Sequence, residues 1–339
     1  MRQNVQVVRL APDGGPAVPF EDLKGGLPRD IEGALNIAKR LTPLSARLGR
    51  GGTLRLWETL ATLGAHDLGI ARAVEPHLDA AAILEQSGRA EPEGAWGVYA
   101  AEGGPDPLRA EASGGGWSVT GTKRWCSLAD RLDSALVTAQ TAEGEPRLFA
   151  VDLTRPEVRA TEGTWHARGL AEIPSGPVVF TGAPAAPVGE AGWYLGRSGF
   201  WWGSIGVAAC WYGGAVGIAR TVFASTSSGM GPHALAHLGA IDSLLHACRI
   251  ALADAASHVD DSSYAEGRLL AKRVRGVVAD ACEEIITRAG HATGPGPLTT
   301  DLHHAKQVSD LSIYIRQYHA ERDQASQGSI LAGLGGPPW

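Results

Sequence analysis

A chain of 339 residues, 44% of them apolar and with a formal net charge of −6, holds enough hydrophobic material for more than one core. Its Lys and Arg residues form no run, so nucleic acid is excluded as the main partner, and the apolar content excludes a disordered chain. Cys126, Cys210, Cys248 and Cys282 show no CxxC spacing, which argues for reduced, buried thiols and against a zinc site or a disulfide framework.

In chain order, the amino-terminal stretch has neither a long apolar run nor a cleavage signature, so the chain is expected in the cytoplasm. Residues 30–91 read as helices, because apolar side chains recur at three and four: Leu54, Trp57, Leu60 and Ala61, then Ile70, Val74, Leu78, Ala81 and Ala82. A glycine-rich stretch at 49–52 interrupts them. Glu75-Pro76-His77-Leu78-Asp79-Ala80 reads as a turn and helix cap, with an active-site wall as the alternative. Beyond Pro92 come short β-type runs at 96–100, 135–139, 148–153 and 177–181, punctuated by turns at Gly144-Glu145-Pro146 and Gly182-Ala183-Pro184. Trp117-Ser118-Val119-Thr120 and Trp125-Cys126-Ser127 flank Gly121 with alternating apolar and polar residues, which predicts a hairpin within an antiparallel β domain.

From Trp193 the helical period returns. The 22 residues between Arg197 and Arg220 carry no charge and match a membrane span in length. Gly203, Gly206, Gly213, Gly214 and Gly217 instead suit a helix buried among close neighbours, and no second span or basic flank accompanies it, so no membrane is expected. Further helices are expected over 240–259, 268–289 and 303–324. The fold class is α+β multidomain, without internal repeats: a helical domain over 1–94, an antiparallel β domain over 95–188 and a helical bundle over 189–330.

Three local motifs carry a resemblance: Ala101-Glu102-Gly103, Gly121-Thr122-Lys123-Arg124-Trp125-Cys126-Ser127-Leu128-Ala129, and Gly214-Ala215-Val216-Gly217-Ile218-Ala219. With the order of domains, they resemble the acyl-CoA dehydrogenase family of flavoproteins over about residues 50–320. That family has Thr-Glu-Pro at the first motif and Gly-x-Lys-x-Trp-Ile-Thr-Asn at the second. The resemblance implies a flavin, FAD or alternatively FMN, between the β domain and the carboxy-terminal helices. It places Ala100, Ala101, Trp125, Cys126 and Ser127 at the cofactor, with Trp125 against the ring and the amide and hydroxyl of Ser127 at N5. Gly290 falls where the family has a glycine pair that admits flavin from a neighbouring subunit, and His291 replaces the second glycine. A small-molecule substrate, a dimer or tetramer of identical chains, and an electron-transfer or flavin reductase partner are implied as well. The chemistry is coherent, since a flat electron-poor ring needs an apolar wall and a few hydrogen-bond donors at its edge. An isolated tryptophan in a β domain is ordinarily a core residue, but the flanking Gly-x-Lys, Ser127 and Ala129 favour the cofactor reading.

The departures matter equally. The loop from Ala101 to Leu108 lacks the family's hydroxyls, and no Arg-x-x-Phe-Gly segment follows Arg220, so a grip on the adenine half of FAD is missing. α,β-Dehydrogenation of an acyl thioester needs a carboxylate base, yet the two positions where the family carries it fall near Val207 and Ser312. Asp310 lies close by and reads as a helix-surface residue, with the base itself, after a shift of register, as the alternative. His303 and His304 read as structural or capping residues, with a proton donor near a flavin as the alternative. His233 and His237 share a helix face but lack a third metal ligand, and Arg249 reads as an interhelical ion-pair partner. No catalytic residue and no metal is assigned. The leading expectation is a flavin-dependent oxidoreductase. The alternatives are a flavin-dependent monooxygenase of the same fold and a binding or scaffold homologue that has lost the flavin.

Overall fold

The computed structural model describes residues 5–11, 26–90, 92–101, 107–261 and 267–339. The part of the Ala101 to Leu108 loop numbered 102–106 lies outside the described residues.

Three helices open the fold: α1 (Ile31–Leu41), α2 (Thr53–His66) and α3 (Leu68–Gln86). Asp67 caps α3, its carboxylate accepting from the Gly69 amide at 2.8 Å and the Ile70 amide at 3.2 Å. Glu75 to Ala80 lie inside this helix, so the expected turn is absent; Pro76 is carried in mid-helix without ending it.

The middle of the chain forms seven strands: β1 (Trp96–Tyr99), β2 (Arg109–Ser113), β3 (Gly116–Lys123), β4 (Ser134–Gln140), β5 (Pro146–Asp152), β6 (Val158–Ala160) and β7 (Val178–Val188). β2, β3, β7, β5 and β4 are joined in a closed circuit, antiparallel except for the single parallel pair Arg109 and Gln140 that joins β2 to β4. β1 adds to β4 in parallel, so the sheet is mixed. Two expected turns prove to be strand. Gly121, at φ +126°, is a bulge within a continuous β3, and β7 runs straight through Gly182-Ala183-Pro184. The Trp125-Cys126-Ser127 segment is correspondingly an irregular loop and not the second arm of a hairpin.

Seven helices complete the chain: α4 (Trp193–Gly196), α5 (Ser198–Ala224), α6 (Pro232–Asp260), α7 (Gly267–Thr293), α8 (Gly296–Thr300), α9 (Leu302–Tyr314) and α10 (Glu321–Ala332). The expected continuous helix over 303–324 is broken by a tight turn at Ile315–Gln317 and by Ala320, whose φ is +40°. The uncharged α5 is the core helix, packed by α2, α3, α6, α7 and α9. Its glycines permit backbone contact with α2: a Cβ at Gly213 would sit 2.1 Å from the Ala61 carbonyl oxygen, and one at Gly64 would sit 2.5 Å from that of Cys210. By length and composition both α5 and α6 are apolar enough to cross a membrane. The apolar window is 67% buried in α5 and only 17% buried in α6. All four cysteines are free and buried. Among the described residues Arg249 makes no interhelical ion pair; its guanidinium donates to the Leu10 carbonyl at 2.9 Å, holding the amino-terminal segment on α6.

Candidate active site

The loop after β3 is held at alternate residues. The Cys126 amide donates to the Gly176 carbonyl at 3.0 Å, and the Leu128 amide donates to that of Pro174 at 2.9 Å. The Tyr99 hydroxyl, at the end of β1, donates to the Ser127 carbonyl at 3.0 Å. The ammonium of buried Lys123 donates to the Thr138 carbonyl at 2.9 Å and its hydroxyl at 2.7 Å, fixing the root of the loop on β4. Trp125 (φ +62°) and Leu128 (φ +55°) occupy the left-handed region, an arrangement that costs about 1 to 3 kcal/mol for each non-glycine residue and clusters at functional sites. Among the described residues, neither the Trp125 nor the Ser127 amide has a protein acceptor. The loop therefore offers two free N–H donors beside an indole that is 60% exposed.

The Ser127 hydroxyl is already committed. It accepts from the Arg72 guanidinium at 3.0 Å and donates to the Ser175 oxygen at 2.7 Å, because Ser175 passes its own proton to the Ile173 carbonyl at 3.1 Å. Its amide is the donor left for a ligand. Cys126 is 1% exposed, and burial pushes its thiol up to about 12, so it is no nucleophile. Ala100 and Ala101 follow β1 directly, half-buried and exposed respectively. Gly290 lies near the end of α7 with open space where a Cβ would stand. α7 packs on α5, α6, α9 and α10.

Arg72 links this loop to the interior. On α3 the residues Arg72, Glu75 and Asp79 fall at i, i+3 and i+7, one polar stripe along a buried helix. Glu75 stands 3.7 Å from Arg72, and together with Asp79 it lines a partly open cavity of about 280 Å³, with Tyr194, Phe200, Trp201, Val207 and Arg275 also in its wall. Burial raises Glu75 to about 7, against the opposing pull of Arg72 and Arg275, and burial raises Asp79 in the same sense. Val207, one expected base position, thus opens onto the same cavity as Glu75. Ser312, the other, is exposed and donates to the Val308 carbonyl of its own helix at 2.7 Å. Sequence reasoning put the active-site wall second to a turn and cap for Glu75, because a proline beside it resembles a helix boundary.

Asp310 is 1% exposed, contrary to its reading as a surface residue. It accepts from the Leu170 amide at 2.6 Å and from Lys306 at 2.6 Å, and the Lys306 ammonium also reaches Asp67 at 2.9 Å and Glu172 at 2.6 Å. These three carboxylates, the one group close enough for a metal among the described residues, are instead gathered around a lysine. His77 is fully buried. Its Nδ1 accepts from the Trp96 amide at 3.2 Å, so Nε2 carries the proton and donates to Thr42 at 2.9 Å; burial lowers it to about 4. His303 donates to the His66 carbonyl at 2.8 Å, His304 is buried with Nδ1 unpartnered among the described residues, and His237 stacks edge-on against His291 at 5.4 Å. His233 is exposed.

The donor set fits the edge of a flavin ring: two uncommitted amides, an exposed indole, and a rigid support behind them. Arg220 donates to the Gln6 carbonyl at 3.1 Å.

No protein-family model and no curated protein matches the sequence. Solved structures do match in fold. TdsC from Paenibacillus sp. A11-2, a dibenzothiophene monooxygenase solved with FMN and indole, has a TM-score of 0.77 at 17% identity, over 91% of this chain and 92% of its own. KijD3, solved with FMN and a dTDP-linked 3-amino-4-keto sugar, has a TM-score of 0.73 at 19% identity, over 88% and 86%. A Tcur3481-Tcur3483 steroid ACAD variant has a TM-score of 0.72 at 18% identity, over 89% of each chain. The chain has the acyl-CoA dehydrogenase-like fold.

Proposed function

We propose that this chain is a flavin-dependent oxidoreductase of the monooxygenase type that uses FMN and acts on a small molecule held in the cavity behind Ser127. The observation that carries the reading is the pair of unclaimed amides at Trp125 and Ser127, joined through Arg72 to that cavity. Trp125 supplies an apolar wall and the amides supply donors for the ring edge, while Arg72 and Ser175 hold the loop in place. A bound flavin brings the redox chemistry that these side chains lack. FMN is favoured over FAD because the adenine grip is missing, and oxygen chemistry is favoured because Val207 and Ser312 supply no base for thioester dehydrogenation. Electrons come from a separate reductase in this reading. The protein works in the cytoplasm as an oligomer of identical chains, with the apolar face of α6 against a second copy.

A second reading has one observation in its favour. Glu75 opens onto the cavity that Val207 lines and is raised to about 7, where a carboxylate serves as a general base, so dehydrogenation with Glu75 in that role is the alternative. Chemically reduced FMN, loaded anaerobically and mixed with oxygen and then with an artificial electron acceptor, separates the two. Oxygen-dependent product formation supports the first. Turnover with the acceptor alone supports the second, and failure to retain FMN, or FAD in a parallel loading, ends both.

A further inference from the structure

The polar groups around the cavity are unevenly served. The Lys272 ammonium is spent on Asp323 at 3.1 Å. The Arg275 guanidinium donates to the Ser204 carbonyl at 2.7 Å and the Gln317 carbonyl at 3.0 Å, and stacks over Trp211 at 4.6 Å. Arg197 donates to Gln86 at 2.7 Å. Glu75 and Asp79 have no hydrogen-bond donor among the described residues; their nearest cations, Arg72 and Arg197, stand off at 3.7 and 3.9 Å. Glu75 is nonetheless 92% buried, with a relative exposure of 8%. Among the described residues, these two carboxyl groups of the cavity wall are thus left without a close donor.

We infer that this cavity binds a basic amine carried on an aromatic body, with the N–H donors of the amine shared between Glu75 and Asp79. The inference rests on the preceding reading only in calling the cavity a substrate site. A ligand carboxylate would add acceptors where acceptors already lack partners, and a hydroxyl brings one donor for two carboxyl groups. An ammonium brings three donors and a charge. The walls suit the rest of such a molecule: Tyr194, Phe200 and Trp201 meet edge to face with ring centroids 5.4 and 4.9 Å apart, an arrangement that receives a further ring and attracts cations. Gly203 of α5 keeps the carboxyl pair accessible, since a Cβ there would lie 2.6 Å from Asp79 Oδ1. The burial that raises both carboxyl groups acts in the same sense, because it marks a site short of compensating donors.

Calorimetric titration of the full chain with tryptamine, tryptophol and indole-3-propionate tests this, since the three share one ring system and differ in the terminal group. Tryptamine is expected to bind about tenfold more tightly than tryptophol, the worth of one charge-assisted hydrogen bond, and indole-3-propionate more weakly still. Glu75→Gln and Asp79→Asn are each expected to weaken tryptamine about tenfold while leaving tryptophol within about twofold. Tryptophol or indole-3-propionate binding as tightly as tryptamine would overturn the inference, and so would no tryptamine binding in the wild-type chain, which needs no variant to fold. Flavin retention is scored separately. Amine binding by a chain that keeps no flavin ends the oxidoreductase reading and leaves this inference standing; flavin retention without amine binding does the reverse.

Discussion

At the scale of single residues, Trp125 is the clearest oddity: a large indole 60% exposed, on a backbone conformation that favours glycine. An exposed ring contributes little to folding, so Trp125→Ala should shift unfolding by less than about 1 kcal/mol while lowering FMN affinity at least tenfold. Equal loss of both, measured by urea denaturation and flavin titration, would make it a structural residue. Glu75 makes a second prediction. Its folded pKa of about 7 exceeds its ordinary value, so the unfolded chain releases that proton first, and stability falls as pH rises from about 4.5 to about 7. His77, lowered to about 4, works the other way, with stability lost as pH falls from about 6.5. Glu75→Gln removes only the first effect, so its stability relative to wild type should grow by roughly 2 to 3 kcal/mol between pH 5 and pH 7.5. A constant difference between those two pH values would show that Glu75 ionises normally. The motif around Trp125 and Ser127 is what drew the flavin reading to them in the sequence. Arg72 and Glu75 lie three apart on one helix, but the burial of Glu75 and the company of Arg275 arise only where α3 meets α7 in the fold.

At the scale of elements, the glycines of α5 are close-approach positions. Gly213→Ala would press a methyl against the Ala61 carbonyl and should cost about 3 kcal/mol, whereas Gly290→Ala on α7 meets open space and should gain up to about 1 kcal/mol from helix propensity. Thermal unfolding of the two variants checks the contrast, and equal effects would contradict the packing described for α5. The uncharged run was readable as a buried helix, because glycines at close spacing suit backbone contact better than lipid. The Gly121 hairpin was misread for a related reason. A glycine with positive φ serves a turn or a bulge equally well, and only pairing with β7 on the far side of β3 selects the bulge. β2 and β6 gave no signal, being short and largely exposed or half-buried.

At the scale of the whole molecule, Lys306 ties the parts together. Its ammonium holds Asp67 at the start of α3, Glu172 from the segment between β6 and β7, and Asp310 on its own helix. Lys306→Met would leave three carboxylates facing one another and should cost about 3 kcal/mol or more, read as a lower urea midpoint. The helical, β, helical order was visible in the periodicities of the sequence, but this clamp was not, because Asp310 is drawn inward only when α9 meets the 170–172 segment. The central claim is that the Trp125 and Ser127 loop seats a flavin. Its most direct test is the visible spectrum of the purified chain after incubation with FMN, and separately with FAD, followed by desalting. The account predicts one FMN retained per chain, more firmly than FAD, and lost in Trp125→Ala. A well-folded chain that passes through the column colourless with both flavins would contradict it.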